Sequence, residues 1–158
     1  MEPVPVTWLT RTGSVAGMTL LCMGMSGPEL LFPVPAVPPS AMANSFFDRR
    51  GDQIHHAVDI MAPRHSEVVA VAVGTIARMM NNAAGGIVIY QFSSGQRFCD
   101  YCAHLQGYAE DLAEGQTVRR GQVLGYVGSS GNASEDAPHL HFTSRGSRGR
   151  TSGGAARP

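Results

Sequence analysis

The sequence predicts an all-β domain built of antiparallel strands, and three observations carry that prediction. Two runs, VVAVAVGTI at residues 68–76 and GIVIYQF at residues 86–92, are rich in β-branched and apolar residues and are bounded by turn formers. Glycines at positions 115, 121, 125, 128 and 131 punctuate very short apolar pairs, the mark of tight turns between short strands. No segment sustains an apolar period of 3.6 residues.

Along the chain, residues 1–30 hold an uncharged apolar stretch after Arg11 with Val15, Met18, Leu20, Leu21 and Met23. It is compatible with an export signal, an uncleaved membrane anchor or a plain disordered leader. Residues 31–43 begin LFPVPAVPPS, where repeated prolines fix φ and remove donors, so an extended lead-in is expected rather than a helix. The folded domain is expected over residues 44–143. Within it the runs at 68–76 and 86–92 are strands, residues 96–105 form a third, and residues 108–113 are the longest helical candidate, at one or two turns. Residues 144–158 are Ser, Gly and Arg with almost nothing apolar to bury, and read as a disordered tail.

Composition removes several function classes. With 158 residues there is room for one domain of ordinary size, and so for one active site. Apolar residues make up 43% and charged residues 15%, a globular balance. The formal net charge is zero, which leaves no long-range field for phosphate, and nucleic acid is not an expected partner. All twelve basic residues under Lys+Arg are arginine, so chemistry that needs lysine is excluded. The three cysteines are too few for a disulfide framework. Cys99 and Cys102 form a C-x-x-C, but residues three apart in a strand lie about 10 Å apart on opposite faces, so two unrelated, half-buried thiols are expected.

Five of the six histidines fall in three short motifs: His55 and His56 in IHHAVDI, His104 in YCAHL, and His139 and His141 in PHLHF. Zn²⁺ accepts imidazole nitrogen and carboxylate oxygen, and a catalytic zinc normally takes three protein ligands and leaves a fourth position to water. His55 and Asp59 are four apart, on one face of either a strand or a helix. His139 and His141 are two apart and share a strand face. Two such segments would converge on a metal. Each motif alone is weak, since H-x-x-x-D is commonly a surface ion pair and H-x-H a pair of strand neighbours; their coincidence with a third histidine on an apolar strand is what points to a site.

The run HHAVDIMAP, then VAVAVGTI, YCAHL, EGQTVRRGQVLGYVGSSGNAS and PHLHF, resembles the lysostaphin-like, or LytM-type, zinc metalloendopeptidases over residues 31–142. The resemblance implies antiparallel sheets forming a distorted sandwich with an open groove and zinc at the groove floor. It implies one Zn²⁺ per chain held by His55, Asp59 and His141, with His104 and His139 as two catalytic histidines sharing the proton-handling roles. It implies peptidoglycan peptides as the partner, and a periplasmic or cell-envelope location to which the N-terminal stretch would deliver or anchor the protein. His56 and His65 match no functional position.

The family commonly has glycine at the positions of Ala57 and Phe47 and a Gly-Thr-Pro turn where His65, Ser66 and Glu67 stand. Wherever such a glycine takes positive φ, its replacement is expected to cost about 1 kcal/mol or more. After Phe142 the chain lacks strand-like alternation, so the strand of His141 is expected to lack an edge partner. The rival to an active endopeptidase is a relative that binds wall peptides or activates another hydrolase without cutting; inactive relatives generally lose metal ligands, and this chain keeps every one. A biotinyl or lipoyl carrier would need a modifiable lysine, and a cupin site would need a glutamate shortly after His141; neither residue is present.

Overall fold

The computed structural model describes residues 30–146. The apolar leader and the end of the Arg-rich tail lie outside the described residues. Among the described residues no helix is long and apolar enough to cross a membrane.

Ten strands follow in order: β1 (Arg49–Arg50), β2 (Gln53–Ile54), β3 (Val58–Met61), β4 (Glu67–Val69), β5 (Gly74–Asn82), β6 (Gly86–Ser93), β7 (Phe98–Tyr108), β8 (Thr117–Val118), β9 (Val123–Val127) and β10 (His139–Gly146). The pairings are all antiparallel. The main sheet runs β3-β10-β7-β6-β5-β8, with β9 paired to both β4 and β7, and β1 and β2 form a separate hairpin. The expected all-β antiparallel class is therefore what the chain adopts. The predicted strands at 68–76 and 86–92 are real, although the first divides into β4 and the start of β5. The helical candidate at 108–113 is not: Tyr108 ends β7 and a turn follows.

The core is where the apolar faces meet. Ile60, Val68, Ile76, Ile89, Leu105, Leu124, Val127 and Leu140 are at most 1% exposed. Alternation does the sorting, because successive strand residues point to opposite faces. Ile60 and Leu140 enter the core, and Asp59, His139 and His141 face the other way.

The lead-in is more than a lead-in. Val34 is fully buried in the core cluster. The Leu31 amide donates to the Val71 carbonyl at 3.0 Å, and the Val69 amide to the Pro33 carbonyl at 2.9 Å. Met42 bridges to Ile60. The proline-rich segment thus covers one side of the core from residue 31 rather than leading up to Asn44, with a short 3-10 turn at Pro39–Ala41. Its prolines fix φ through a run of turns rather than the extended path expected, with the Val37 amide donating to the Val34 carbonyl at 3.2 Å and the Ala41 amide to the Pro38 carbonyl at 2.9 Å.

At the other end, β10 continues past Phe142 to Gly146, its last residues paired with β7 in the register Ser144↔Asp100, Arg145↔Cys99 and Gly146↔Phe98. Nor does β10 lack support: β3 lies on one side of it and β7 on the other. Cross-strand bonding to a long neighbour holds residues 144–146 extended although they lack apolar alternation.

A glycine interlock fixes the loop between β9 and β10. Gly131 has φ 74°, and a Cβ there would lie 2.3 Å from the Gly86 nitrogen and 2.6 Å from the Ala84 carbonyl oxygen. The Ile87 amide donates to Ser130 Oγ at 2.9 Å, and that hydroxyl donates to the Leu105 carbonyl at 2.7 Å. From outside, Arg64 donates to Ser129 Oγ at 2.7 Å and to the Glu135 carbonyl at 3.1 Å.

Two predictions follow from this packing. Gly131→Ala forces both positive φ and a backbone overlap, and should lower unfolding stability by about 2 kcal/mol, read as a lowered urea midpoint. Asp100 is 4% exposed; burial pushes its carboxyl above the usual range, only partly offset by a hydrogen bond from Ser144. A raised folded-state pKa means that the ionised form destabilises the fold at neutral pH and that this cost vanishes below the unfolded value. Asp100→Asn should therefore raise the urea midpoint at pH 7, and the gain should disappear near pH 3.

Candidate metal centre

The foundation of the site is one cross-strand pair, Asp59 on β3 directly opposite His141 on β10. Opposed residues on one face of an antiparallel pair bring their side chains together, and Asp59 Oδ1 lies 3.2 Å from His141 Nδ1. His139, two residues earlier, shares that face and puts Nε2 3.8 Å from Asp59 Oδ1.

His55 arrives by a different route from the one its spacing suggests. It lies before β3, and at His56 the backbone takes φ 53°, so strand alternation does not relate His55 to Asp59. The β1-β2 hairpin places it instead: the His55 amide donates to the Asp48 carbonyl at 2.8 Å, and the His56 amide to the Phe46 carbonyl at 2.9 Å. His55 Nε2 then lies 2.8 Å from His141 Nδ1 and 3.3 Å from Asp59 Oδ1.

His104 needs a third device. Regular alternation in β7 would send it towards the core with Cys102. Between β6 and β7 the register moves from Ile89↔Cys102 to Ile87↔Leu105, so β7 carries one extra residue there. His104 has φ 60°. An extra residue in a left-handed conformation is how a β-bulge re-aims a side chain, and here it turns His104 to the site, its ring 4.9 Å from that of His139 and 5.6 Å from that of His141. The bulge sits where β7 changes partner from β10 to β9. All five predicted site residues therefore meet in one place.

The hydrogen bonds set the tautomers. A backbone carbonyl can only accept, so the 3.0 Å contact of His55 Nδ1 with the Ser45 carbonyl makes Nδ1 the N–H and leaves a lone pair on Nε2. In the same way His104 Nδ1 donates to the Ser130 carbonyl at 2.9 Å and His139 Nδ1 to the Ala137 carbonyl at 2.8 Å. The Nε2 atoms of all three thus face the site. Burial pushes the His55 and His104 imidazoles below their ordinary value, outweighing the carbonyls that favour the charged form, and so keeps both neutral. Burial alone would raise the Asp59 carboxyl, but its close polar neighbours, the His141 ring and the Arg50 guanidinium, hold it well below the usual carboxylate range.

His55, Asp59 and His141 could hold a metal ion. Ligand atoms about 2.0–2.2 Å from a tetrahedral zinc sit about 3.3 Å apart, and the observed separations of 2.8, 3.2 and 3.3 Å come close to that. Asp59 Oδ1 and His139 Nε2 are buried and have no hydrogen-bond partner. Two ring nitrogens and a carboxylate oxygen within 3.3 Å of one another, with two unpartnered buried atoms at the same place, are a donor set that suits a cation.

Three supporting residues gave no signal in the sequence. Ser45 accepts from His55 through its carbonyl and from the Asp59 amide through Oγ at 3.2 Å. Arg50 pairs with the outer oxygen, Oδ2, of Asp59. Ser130 orients His104. Only Ser130, inside the glycine-rich ladder, lies in a stretch that already stood out. His56 and His65 are exposed and take φ 53° and 71°. His65 thus bears the positive φ of the family's turn glycine, whereas Ala57 and Phe47 do not have positive φ. Cys99 is half-buried and Cys102 buried, both as free thiols.

A family profile, peptidase family M23, matches residues 53–152. The L-Ala--D-Glu endopeptidase of Bacillus subtilis is 34% identical over 131 residues, covering 78% of this chain and 40% of that protein. The DD-carboxypeptidase/endopeptidase Mpg of Neisseria meningitidis is 34% identical over 94 residues, 59% of this chain and 20% of that one. The chain thus spans less than half the length of these relatives. Among solved structures, the catalytic domain of lysostaphin from Staphylococcus simulans superposes with a TM-score of 0.55 at 29% identity, over 59% of this chain and 68% of that one. Profile, relatives and fold agree with the resemblance read from the histidine motifs: this chain belongs to peptidase family M23, among the lysostaphin-like, LytM-type peptidases.

Proposed function

We propose that the chain is a zinc-dependent endopeptidase that hydrolyses peptide cross-links of bacterial peptidoglycan, acting outside the cytoplasm where that polymer lies. The observation that carries this reading is the convergence of His55 Nε2, Asp59 Oδ1 and His141 Nδ1 beside two further imidazoles. The relatives' names, an L-Ala--D-Glu endopeptidase and a DD-carboxypeptidase/endopeptidase, support the substrate class.

In this reading His55, Asp59 and His141 hold one Zn²⁺, with Arg50 and Ser45 steadying the Asp59 carboxylate and the His55 ring. Zinc bound there supplies Lewis acidity and makes water acidic enough to attack near neutral pH. The chain's own part is proton handling. Between them the Nε2 atoms of His104 and His139 take a proton from the attacking water and return it to the leaving amine, and the protonated ring donates a hydrogen bond to the developing oxyanion. The two rings share these roles. Anchoring of both Nδ1 atoms on backbone carbonyls fixes ring orientation, so no reorganisation is needed when charge moves.

The test is zinc content and cleavage of cross-linked muropeptides, measured together on the purified protein and three variants. The wild type is expected to hold one zinc and to cut. His141→Ala should lose both properties. His104→Ala and His139→Ala should keep the metal and lose cleavage by about 100-fold or more. A wild type without zinc, or cleavage indifferent to His141→Ala, would overturn the reading.

A further inference from the structure

Beside the candidate metal centre a cleft of about 230 Å³ runs along the sheet, lined by His56, Tyr90, Tyr101, Thr143, Cys99 and Arg145, with His141 at one end. Its layout follows from register. His141, Thr143 and Arg145 alternate onto one face of β10, Thr143 stands opposite Tyr101, and Arg145 stands opposite Cys99. Tyr90 and Tyr101 are directly paired and their rings lie 4.8 Å apart, with the Tyr101 ring edge-on to His141 at 5.9 Å. The cleft therefore has an order to its chemistry: candidate metal ligand, aromatic pair, cation.

Arg145 is exposed and makes no ion pair or hydrogen bond with any described residue. The nearest acid along β7, Asp100, is buried and bonded to Ser144 on the opposite face of the sheet. No carboxylate lines the cleft. An unpaired guanidinium at the end of a groove without acids is complementary to an anionic group on whatever lies in that groove.

Resting on the endopeptidase reading, we infer that Arg145 forms a carboxylate subsite, which selects wall peptides carrying a free carboxylate a few residues to one side of the scissile bond. Arg145 lies four positions along β10 from His141, about 13 Å of backbone, and an extended peptide covers that span in about four residues. The planar guanidinium binds a carboxylate through two parallel N–H···O bonds, which an amide cannot reproduce. The tyrosine rings between the two ends would cover the intervening apolar stems. The subsite therefore separates peptides with free acid groups from those whose acids are amidated.

The test uses two synthetic cross-linked stem peptides, one with free carboxylates and one fully amidated, against the zinc-loaded wild type, Arg145→Gln and Arg145→Lys. For the wild type, KM is expected to be about tenfold lower for the free-acid peptide, a value reduced from that of a buried pair because the site is open to water. The ratio of the two KM values should collapse towards one in Arg145→Gln and recover in part in Arg145→Lys, and unfolding midpoints should show that all three proteins are folded. A wild type with no preference, or a preference that survives Arg145→Gln, overturns the subsite. If the wild type cuts neither peptide, the endopeptidase reading fails instead, and fluorescence anisotropy of the labelled peptides on the same proteins decides the subsite separately: an undiminished wild-type preference in Arg145→Gln, or none in the wild type, overturns it.

Discussion

Everything at the candidate metal centre depends on one register, the direct opposition of Asp59 on β3 and His141 on β10. Because side chains alternate along a strand, a slip of one residue would carry Asp59 or His141 into the core and bring Ile60 or Leu140 to the surface. Ile60 and Leu140 are fully buried, so the hydrophobic effect on one face of these strands fixes the chemistry on the other. The flanking positions of β3 and β7 tie β10 down from both sides. The centre is thus set by strands whose placement is the fold's most constrained, and not by a mobile loop.

Around that pair the remaining groups come from less regular structure, each held by backbone hydrogen bonds. A hairpin supplies His55, a bulge supplies His104, and carbonyls of Ser45, Ser130 and Ala137 choose the tautomers. A carboxylate held ionised beside several imidazole rings leaves two buried polar atoms, Asp59 Oδ1 and His139 Nε2, without a partner inside the protein, an arrangement that a cation would complete.

How much of this could be read in advance follows from the same division. The strand pair was legible, because H-x-H and the alternation around it are sequence-local. So was the grouping of the site, since the five residues named from the motifs and the family resemblance lie together in the structure. The geometry of His55 was not: its spacing from Asp59 suggests a shared face, but a left-handed residue between them breaks the alternation. Nor could the bulge at His104 be foreseen, since nothing local says that β7 exchanges β10 for β9 at that point. The burial of Val34 and the extension of β10 to Gly146 were equally hidden. Both are long-range effects, in which a segment with little intrinsic preference is held by a partner distant in sequence.

The bulge has a consequence for anyone who would harden this domain. A histidine in the left-handed region carries about 1–2 kcal/mol of backbone strain, and residue 104 sits in the tightly packed middle of the longest strand. A search for stabilising substitutions guided by backbone preference alone would mark that position for glycine, and a search guided by burial would mark it for an aliphatic side chain. Only glycine would relieve the strain, and it would erase the ring that the bulge turns to the candidate site, so backbone ease and the placing of an imidazole are traded against each other at a single residue.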